Sequence, residues 1–545
     1  MTIEDTFSKG IFVSSLLKES DRKQFICCRI NGRVKELSYA IPSDGRYIIE
    51  FLPMSDPESL KMYSASMRFL VCLAVNKIEP KVSVRFFYNV SRSLFVRLTG
   101  KKGFRVTPNL VKRIKDEMDQ IIKDDVVFER IKIAKNLALD HYRKQGYVDK
   151  IKVLKYRKEE FVHLYKASYG GVDYFDYLYE KMVPSAGYLT KYSLRFYIPG
   201  MMLQIPRFDC NGDIPMFEDE VKFAQSLATN SKWAESNGLD SVPGINKFIK
   251  DYSALGLIDV AESRMNDLLC DLARDIVSVP EPIRCILIAG PSSSGKTSFA
   301  NRLRYQLMTH ALRPIRISID DFYKTREQME PGTDIESVEA LDVDLFNSTV
   351  NGLIEGMEMS LPVFDFKSGS RTFGKPISIK DNQPLIIEGI HALNPTMTAG
   401  IASISKYKIF IAPQPQVNLD DHTPLSMSDM RLLRRITRDS RTRNSSASET
   451  IAMWPNVRGG EFKYIYPTQE NADFIFDSFM PYELSALRNM VLPILDKVKN
   501  NDDAYPTCIR LKQMVKYFLP IEIKDIPCNS LIREFVGGSS FKDAR

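Results

Sequence analysis

The chain has 545 residues, and this length predicts two to four domains because a single hydrophobic core rarely grows so large. The composition, with 44% hydrophobic, 26% charged and 10% aromatic residues, is typical of a globular protein. The net charge of +7 is small for this length, so it is compatible with an anionic ligand but does not require nucleic acid as a partner.

The sequence argues against a membrane-spanning, secreted or disulfide-linked protein. No apolar stretch approaches the ~20 residues that cross a bilayer, and the N-terminus MTIEDTFSKGIF lacks the basic and apolar segments of a secretory signal. The eight cysteines are scattered, with no C-x-x-C pair and no metal-type spacing with histidine. We therefore expect reduced thiols, a cytoplasmic location and no membrane partner.

Short strands and helices alternate irregularly through the first 207 residues. Residues 25–53 have the alternation of short strands, and Asn31-Gly32 predicts a hairpin turn. A helix is predicted at about 57–76, followed by the strand-like runs KVSVRFFYNV and SLFVRL. A long amphipathic helix is then predicted from about 108 to 145, and strand-like runs return within 171–207.

The pattern changes after about residue 215. Two or three helical segments lead to Pro280-Glu281-Pro282, and short apolar strands then alternate with helices. Such alternation predicts an α/β domain with a parallel sheet flanked by helices. We place the boundary before this domain near residues 275–282.

A phosphate-binding loop lies at the start of the α/β region. The segment GPSSSGKT, residues 290–297, matches G-x-x-x-x-G-K-[ST] at every fixed position and lies between an apolar strand and an amphipathic helix. In such a loop the backbone N–H groups surround the phosphates, the lysine neutralises β/γ oxygens and the threonine binds Mg²⁺. The predicted nucleotide contacts are Gly290, Pro291, Ser292, Ser293, Ser294, Gly295, Lys296, Thr297 and Ser298.

Two carboxylates follow later strands of the same predicted sheet. Asp320 ends the strand at 315–319, at the edge where ligands of parallel sheets bind, so we assign it as the base for an acceptor hydroxyl. A helix-capping aspartate is the alternative for this residue. Glu388 ends the strand of PLIIEG, and we expect it to hold Mg²⁺ or its water shell. A surface glutamate at a strand end is the alternative there.

A dense run of arginines follows the sheet. Residues 431, 434, 435 and 438 are all arginine and share one helix face, since steps of three and four residues stack. The positive charges of these arginines repel one another unless an anion binds to them, so we predict that the helix forms a lid over the transferring phosphate. A solvated basic helix is the ordinary alternative.

Together these segments resemble the uridine kinase branch of the phosphoribulokinase/uridine kinase family. The matching segments are GPSSSGKTSFANRL, SIDDFY, VEALDVDLF, LPVFDFKSGSR, IIEGIHALNP and RLLRRITRDSRTRN, in the family's order over about 283–480. The resemblance implies a P-loop kinase fold, ATP and Mg²⁺ as cofactors, and transfer of the γ-phosphate to a nucleoside 5′-hydroxyl. Its implied catalytic residues are Asp320, Lys296, Arg435 and Arg438. Its implied acceptor residues are Tyr323, Glu336, Phe364, Phe366, Arg371, Arg438 and Arg443.

The chain departs from that family where the base and ribose are read. The well-studied uridine–cytidine kinases place a histidine at Gly369, a tyrosine at Phe364 and an aspartate at Glu336. Uridine is therefore the expected acceptor by family, while another nucleoside, a sugar or another polyol stays open.

The first half resembles the N-terminal editing region of threonyl-tRNA synthetase. RINGRVKEL is similar to its small TGS-type β-grasp module, and SLKMYSASMRFLVCLAV and MVPSAGYL are similar to parts of the following domain. The metal ligands of that domain are replaced here by Tyr63, Met67, Leu178 and Met182, so we expect no editing hydrolysis.

The resemblances divide the chain into five predicted segments, with α+β domains ahead of the kinase. These are a TGS-like module at 1–55, a synthetase-like module at 56–215, a helical connector at 216–280, a uridine kinase-like domain at 281–500 and an extension at 501–545.

The role of the first half stays open. Arginines and lysines mix with aromatic residues over 85–115, as on surfaces that stack RNA bases, although a partly buried strand pair with solvated lysines is the simpler interpretation. Dimerisation, a homo-oligomer or a regulatory nucleotide site are equally compatible. For the whole chain, the alternative to a kinase is an RNA- or nucleotide-sensing protein whose P-loop only binds ATP.

Overall fold

The computed structural model describes residues 1–19, 21–157, 159–366 and 368–542. An antiparallel four-stranded sheet opens the chain, with β1 (Thr2–Phe7), β2 (Phe25–Ile30), β3 (Arg33–Glu36) and β4 (Gly45–Pro53) in the order β1-β4-β2-β3. The predicted hairpin turn joins β2 to β3, where Asn31 and Gly32 have φ of 47° and 77° as a type I′ turn requires. No α-helix lies within residues 1–19 and 21–53, so the β-grasp likeness of this module stays a prediction.

A second module surrounds a long buried helix. Helix α1 (Pro57–Ile78) begins at Asp56, whose side chain accepts a hydrogen bond from the Glu58 N–H. The other elements are β5 (Ser83–Val90), β6 (Ser93–Thr99), α2 (Pro108–Lys123), β7 (Glu129–Ala134), α3 (Lys135–Gln145), α4 (Val148–Leu154), β8 (Phe161–Tyr169), β9 (Val172–Asp176), β10 (Ser193–Tyr197) and β11 (Gly200–Gln204). They form two sheets, β10-β11-β6-β5 and β7-β8-β9.

The helix predicted over 108–145 is interrupted between Lys123 and Lys135. The chain turns at Asp125, which has a left-handed φ of 47°, and then forms strand β7 before helix α3 begins. Strand β7 pairs in full register with β8, from Glu129 opposite Lys166 to Ala134 opposite Phe161. This long-range pairing overrides the helical periodicity of the segment.

The four positions that replace the synthetase metal ligands are filled by core side chains. Tyr63, Met67, Leu178 and Met182 are at most 5% exposed and belong to one hydrophobic core. Tyr63 donates its hydroxyl to the Lys191 carbonyl over 2.8 Å. These side chains offer no metal-ligand set of the kind the synthetase domain has.

Three helices connect this module to the last one. They are α5 (Val221–Ser236), α6 (Val242–Tyr252) and α7 (Ala254–Ser278). Ser241 and Ser253 accept hydrogen bonds from backbone N–H groups at the starts of α6 and α7, which explains where these two helices begin.

A five-stranded parallel sheet organises the C-terminal part and confirms the predicted α/β architecture. Its strands run in the order β13-β16-β12-β17-β20. The elements are β12 (Cys285–Ala289), α8 (Lys296–Met308), β13 (Ile315–Ser318), α9 (Val343–Ile354), β14 (Met359–Asp365), β15 (Ser370–Ile377), β16 (Leu385–Glu388), β17 (Lys406–Ala412), β18 (Asn418–Asp420), β19 (Thr423–Pro424), α10 (Met427–Thr442), α11 (Ala447–Gly460), β20 (Phe474–Asp477), α12 (Glu483–Asp496), α13 (Tyr505–Val515) and α14 (Arg533–Val536).

The sheet is covered on both faces, as the apolar runs of its strands require. Alternate residues of β12 enter two different cores: Ile286 and Ile288 face one, while Cys285 and Leu287 face the other. The first core also contains side chains of the connector helices and of residues 504–536. The connector and the C-terminal extension therefore pack as parts of one body with the sheet.

A buried charge network joins the two halves of the chain. The Lys150 ammonium lies 2.9 Å from an Asp176 oxygen and 3.0 Å from an Asp420 oxygen. His422 binds the other Asp176 oxygen over 2.6 Å. Burial lowers the pKa of His422, but the Asp176 carboxylate outweighs it and raises that pKa well above the usual value. Two cations thus meet two carboxylates where the β18–β19 hairpin enters the first half.

The basic-aromatic segment at 85–115 lies partly within the same junction. Arg85 pairs with Asp240 over 2.6 Å, and Arg97 pairs with Glu235 over 2.5 Å. The rings of Phe86, Phe87 and Phe95 are buried. The arrangement favours the partly buried strand pair over a surface that stacks RNA bases.

Within the part of the chain that the structure describes, no helix combines the length and apolarity needed to cross a membrane.

Candidate active site

The P-loop has the shape that its sequence predicts. It joins β12 to α8, and Lys296 is the first residue of that helix. A Cβ at Gly290 would lie 2.0 Å from the Ile411 carbonyl oxygen, so only glycine allows the loop to cross beside strand β17. The backbone N–H groups at the start of α8 have no partner within the helix, and anions bind to such groups.

The side chains inside the loop fit a chain of phosphates. Lys296 donates from Nζ to the Gly290 and Pro291 carbonyls over 3.0 and 3.3 Å, which keeps the ammonium at the mouth of the loop. The hydroxyls of Ser293 and Ser294 are buried without a hydrogen-bond partner among the described residues. Unpaired donors next to a lysine form a suitable site for phosphate oxygens.

Thr297 and Glu388 lie together, as a magnesium site requires. The Thr297 hydroxyl donates to Glu388 Oε1 over 3.4 Å, and Arg316 donates to the same oxygen over 2.9 Å. Burial, together with the charge of Asp320, raises the pKa of Glu388 to about 7. A bound cation would favour the charged carboxylate, so these oxygen ligands fit Mg²⁺.

Asp320 stands at the carboxyl edge of the sheet, in a short 3-10 turn after β13. Asp320 is exposed to solvent. The surrounding protein raises the pKa of this carboxyl, while the charges of Lys296, His391, Arg443 and Arg438 lower it. The predicted base is therefore within electrostatic reach of the P-loop lysine and of two predicted substrate arginines.

Two of the four arginines predicted to form a cationic stripe do not face a ligand. Arg431 and Arg434 are fully buried. Arg431 pairs with Glu461 and donates to the Ser292 carbonyl over 2.9 Å. Arg434 pairs with Glu483 over 2.5 Å and donates to the Ser293 carbonyl over 3.2 Å. The stripe prediction was wrong for these two, because buried glutamates neutralise them and they hold the P-loop backbone instead.

The other predicted arginines gather around Asp439. Arg435, Arg438 and Arg443 have nitrogens 3.3, 3.0 and 3.6 Å from Asp439 oxygens. Arg435 also donates to the Ser292 hydroxyl over 3.0 Å. The first three turns of α10 are largely buried, and exposure begins at Arg441. The part of the predicted lid that is exposed is therefore the C-terminal end of this helix.

The predicted acceptor residues Tyr323, Phe364 and Phe366 form one aromatic cluster. The ring centroid of Tyr323 lies 5.8 Å from that of Phe364 and 5.3 Å from that of Phe366. The ring centroids of the two phenylalanines are 5.0 Å apart. Arg371 donates to Asp342 over 2.9 Å and to the Tyr323 carbonyl over 3.5 Å. The β14–β15 hairpin thus brings these residues to the turn that carries Asp320.

Gly369 lies between strands β14 and β15, where there is little space for a side chain. Its φ is 67°, and a Cβ there would come within 2.6 Å of the Arg326 side chain. The space that a histidine would enter is occupied by this arginine.

Glu336 and His391 lie on the same side of the cleft. Burial raises the pKa of Glu336, while the charge of Arg435 lowers it. The buried His391 imidazole makes a 2.9 Å hydrogen bond through Nε2 with the Glu336 carbonyl. His391 therefore fixes the loop that carries Glu336, a role that no sequence pattern indicates.

Glu461, Glu483 and Arg316 also contribute to the site without having been predicted. Glu461 and Glu483 hold α10 arginines from 30 and 49 residues away along the chain. A pairing at that separation leaves no local pattern in the sequence.

Comparisons with known proteins find a family match in the C-terminal part of the chain. Residues 285–485 match the profile of the Phosphoribulokinase / Uridine kinase family. A uridine kinase from Ureaplasma urealyticum serovar 10 is 28% identical over 193 residues, which are 34% of this chain and 84% of that kinase. The structure of a possible uridine kinase from Bacillus stearothermophilus, at 16% identity, covers 39% of this chain and 100% of its own with a TM-score of 0.28.

The first half matches a different kind of protein. A threonine–tRNA ligase from Desulforamulus reducens is 25% identical over 182 residues, which are 33% of this chain and 28% of the ligase. The chain thus spans less than a third of the ligase but most of the uridine kinase. We conclude that residues 285–485 form a domain of the phosphoribulokinase/uridine kinase family, preceded by a segment similar to part of a threonine–tRNA ligase.

Proposed function

We propose that this protein transfers the γ-phosphate of ATP to the 5′-hydroxyl of a nucleoside, with uridine as the first candidate. The observation that carries the proposal is the position of Asp320 at the edge of the parallel sheet, near enough to Lys296, Arg438 and Arg443 for their charges to lower its pKa. A base, a phosphate-binding loop and cationic side chains meet at this one point. Relatives named uridine kinases support the choice of acceptor.

The chemistry assigns one task to each group. The P-loop N–H groups and Lys296 bind the phosphates and orient the γ-phosphoryl group for in-line attack. As the acceptor oxygen forms its bond to phosphorus, the bond to the bridging β–γ oxygen breaks and ADP leaves. Asp320 receives the hydroxyl proton. Arg435 and Arg438 offset the charge that develops on the transferring group.

Thr297 and Glu388 are the residues that would hold Mg²⁺. When bound there, the ion neutralises charge on the β/γ oxygens. This assignment rests on the 3.4 Å contact between the two side chains and on their place beside the P-loop lysine.

The aromatic cluster supports a nucleoside as acceptor. Tyr323, Phe364 and Phe366 offer flat apolar surfaces against which a base can pack, and Phe366 is 58% exposed. Arg371, Glu336 and Arg443 supply polar contacts for the sugar and its hydroxyls. We place the reaction in cytoplasmic pyrimidine salvage, in keeping with the free thiols of all eight cysteines.

An ADP-release assay across nucleosides and sugars tests the proposal. We expect Mg²⁺-dependent ADP formation with a nucleoside and its loss in Lys296→Ala, whereas Asp381→Asn at an exposed loop leaves the rate unchanged. If a sugar is phosphorylated and no nucleoside is, the acceptor is a sugar and not a nucleoside. ATP binding without any phosphorylated product would favour the nucleotide-sensing alternative.

A further inference from the structure

The C-terminal segment reaches the phosphate end of helix α8. Glu534 accepts hydrogen bonds from the Ser298 backbone N–H over 3.2 Å and from the Ser298 hydroxyl over 2.9 Å. Ser298 is the third residue of α8, so its N–H is one of the free donors at the helix N-terminus. Ser298 and Glu534 are 236 residues apart, and the contact is therefore a product of the tertiary fold.

This carboxylate stands where a donor phosphate would bind. In a P-loop the N–H groups at the start of the following helix contact the phosphate chain. A carboxylate and a phosphate are both anions and compete for the same donors. Glu534 also acts on Glu388, since its charge adds to the effects that raise the pKa of the Glu388 carboxyl.

The segment around Glu534 is anchored firmly, although the side chain itself is only half-buried. Leu531, Ile532 and Phe535 are at most 1% exposed, and Leu531 and Ile532 belong to the core that covers the sheet. The Phe535 ring lies 4.9 Å from the Arg434 guanidinium, and Arg441 donates to the Glu534 carbonyl over 3.2 Å. A rotation of the Glu534 side chain can therefore free Ser298 without unfolding the segment.

We propose that Glu534 belongs to the phosphate-donor site. Its carboxylate occupies the position at Ser298 where one phosphate of ATP binds, and ATP must displace this carboxylate to bind. This inference rests on the proposed function, because it requires the P-loop to receive a nucleotide. It gives the extension after residue 500 a role in setting the affinity for ATP. The contact of Arg441 with the Glu534 backbone links that role to the arginine-bearing end of α10.

The test is calorimetric titration of the full-length protein with Mg·ATP, comparing Glu534→Gln with the wild type. Glutamine keeps the size and a hydrogen-bond acceptor but removes the charge, so we expect about tenfold tighter binding of ATP. Glu522→Gln, at an exposed site in the same extension, is the matched control and should leave affinity within about twofold. Thermal unfolding of the free variants checks that each is folded.

The outcomes separate this inference from the function on which it rests. Unchanged or weaker binding by folded Glu534→Gln, with clear binding by the wild type, would overturn the role of Glu534 and leave the kinase proposal standing. Failure of both folded proteins to bind ATP would overturn both. Binding by Glu534→Gln alone would support the inference in its strongest form.

Discussion

At Asp320, the surrounding protein and the neighbouring cations shift the pKa of the carboxyl group in opposite directions. The surrounding protein raises its pKa, and Lys296, His391, Arg443 and Arg438 lower it. A base must be deprotonated to accept the hydroxyl proton, so these cations keep the residue active towards lower pH. Arg443 is the most exposed of the three lysine and arginine side chains and can be changed with the least effect on folding.

Arg443→Gln should move the acidic limb of the pH profile of kcat/KM to higher pH. Removing one cation lets the pKa of Asp320 rise, so protonation inactivates the base at a higher pH than in the wild type. The measurement is kcat/KM across pH 5 to 8, with the exposed Arg313→Gln as control. An acidic limb at the wild-type position would contradict the electrostatic link between Arg443 and Asp320.

At the scale of the element, helix α10 divides its arginines between structure and chemistry. Arg431 and Arg434 face inwards to Glu461 and Glu483 and hold the backbone of the P-loop. Arg435 and Arg438 face the cleft and share Asp439. One helix thus sets the shape of the phosphate site and supplies charge to it.

Arg434→Gln should therefore affect mainly stability, whereas Arg438→Gln should affect mainly catalysis. The first leaves Glu483 buried without its cation and should lower the free energy of unfolding by about 3–5 kcal/mol. The second should leave the melting temperature nearly unchanged and lower kcat by about 10²–10³. Thermal unfolding and steady-state kinetics of both variants check this, and equal effects on stability would refute the division.

The elements differ in how far the sequence predicts them. The P-loop, strand β12 and helix α8 are encoded by adjacent residues, and so are the hairpin at Asn31-Gly32 and the strands of the parallel sheet. The sequence predicts one helix over 108–145, but strand β7 separates two helices there. The pairing of β7 with β8 joins residues that are distant in the sequence, so helical periodicity does not reveal it. The burial of Arg431 and Arg434 also depended on distant glutamates, and periodicity alone cannot distinguish a paired arginine from a free one.

For the molecule as a whole, the β18–β19 hairpin links the synthetase-like half to the kinase domain. It enters the first half at the Lys150 network and leads directly into α10. Arg68 of α1 donates to the His422 carbonyl over 2.7 Å, which adds a hydrogen bond to the ion pairs of the network. The first half thereby supports the helix that shapes the phosphate site.

Lys150→Met should destabilise the whole protein by about 3–5 kcal/mol, since it leaves Asp176 and Asp420 buried without their shared cation. Lys152→Met, at an exposed position of the same helix, is the matched control. Chemical denaturation measures both. A stability loss below about 1 kcal/mol for Lys150→Met would show that the network does not hold the halves together.

Glu220 adds a pH-dependent contact between the halves. Its carboxylate accepts a hydrogen bond from the Ser91 backbone N–H over 2.7 Å, and burial raises the pKa of Glu220 to about 7. The folded state therefore binds this proton more tightly than the unfolded state, so the stabilisation is present at pH 4 and is lost as the pH rises through 7. Glu220→Gln should gain stability relative to the wild type between pH 5 and pH 8. Melting temperatures at both values measure this, and a difference independent of pH would contradict it.

The most direct test of the central claim measures ATP binding and product formation together in Asp320→Asn. The account predicts that this variant binds Mg·ATP within about threefold of the wild type, because the P-loop and Lys296 are intact, while its rate of nucleoside phosphorylation falls at least about 100-fold. A rate within about threefold of the wild type would show that Asp320 is not the base.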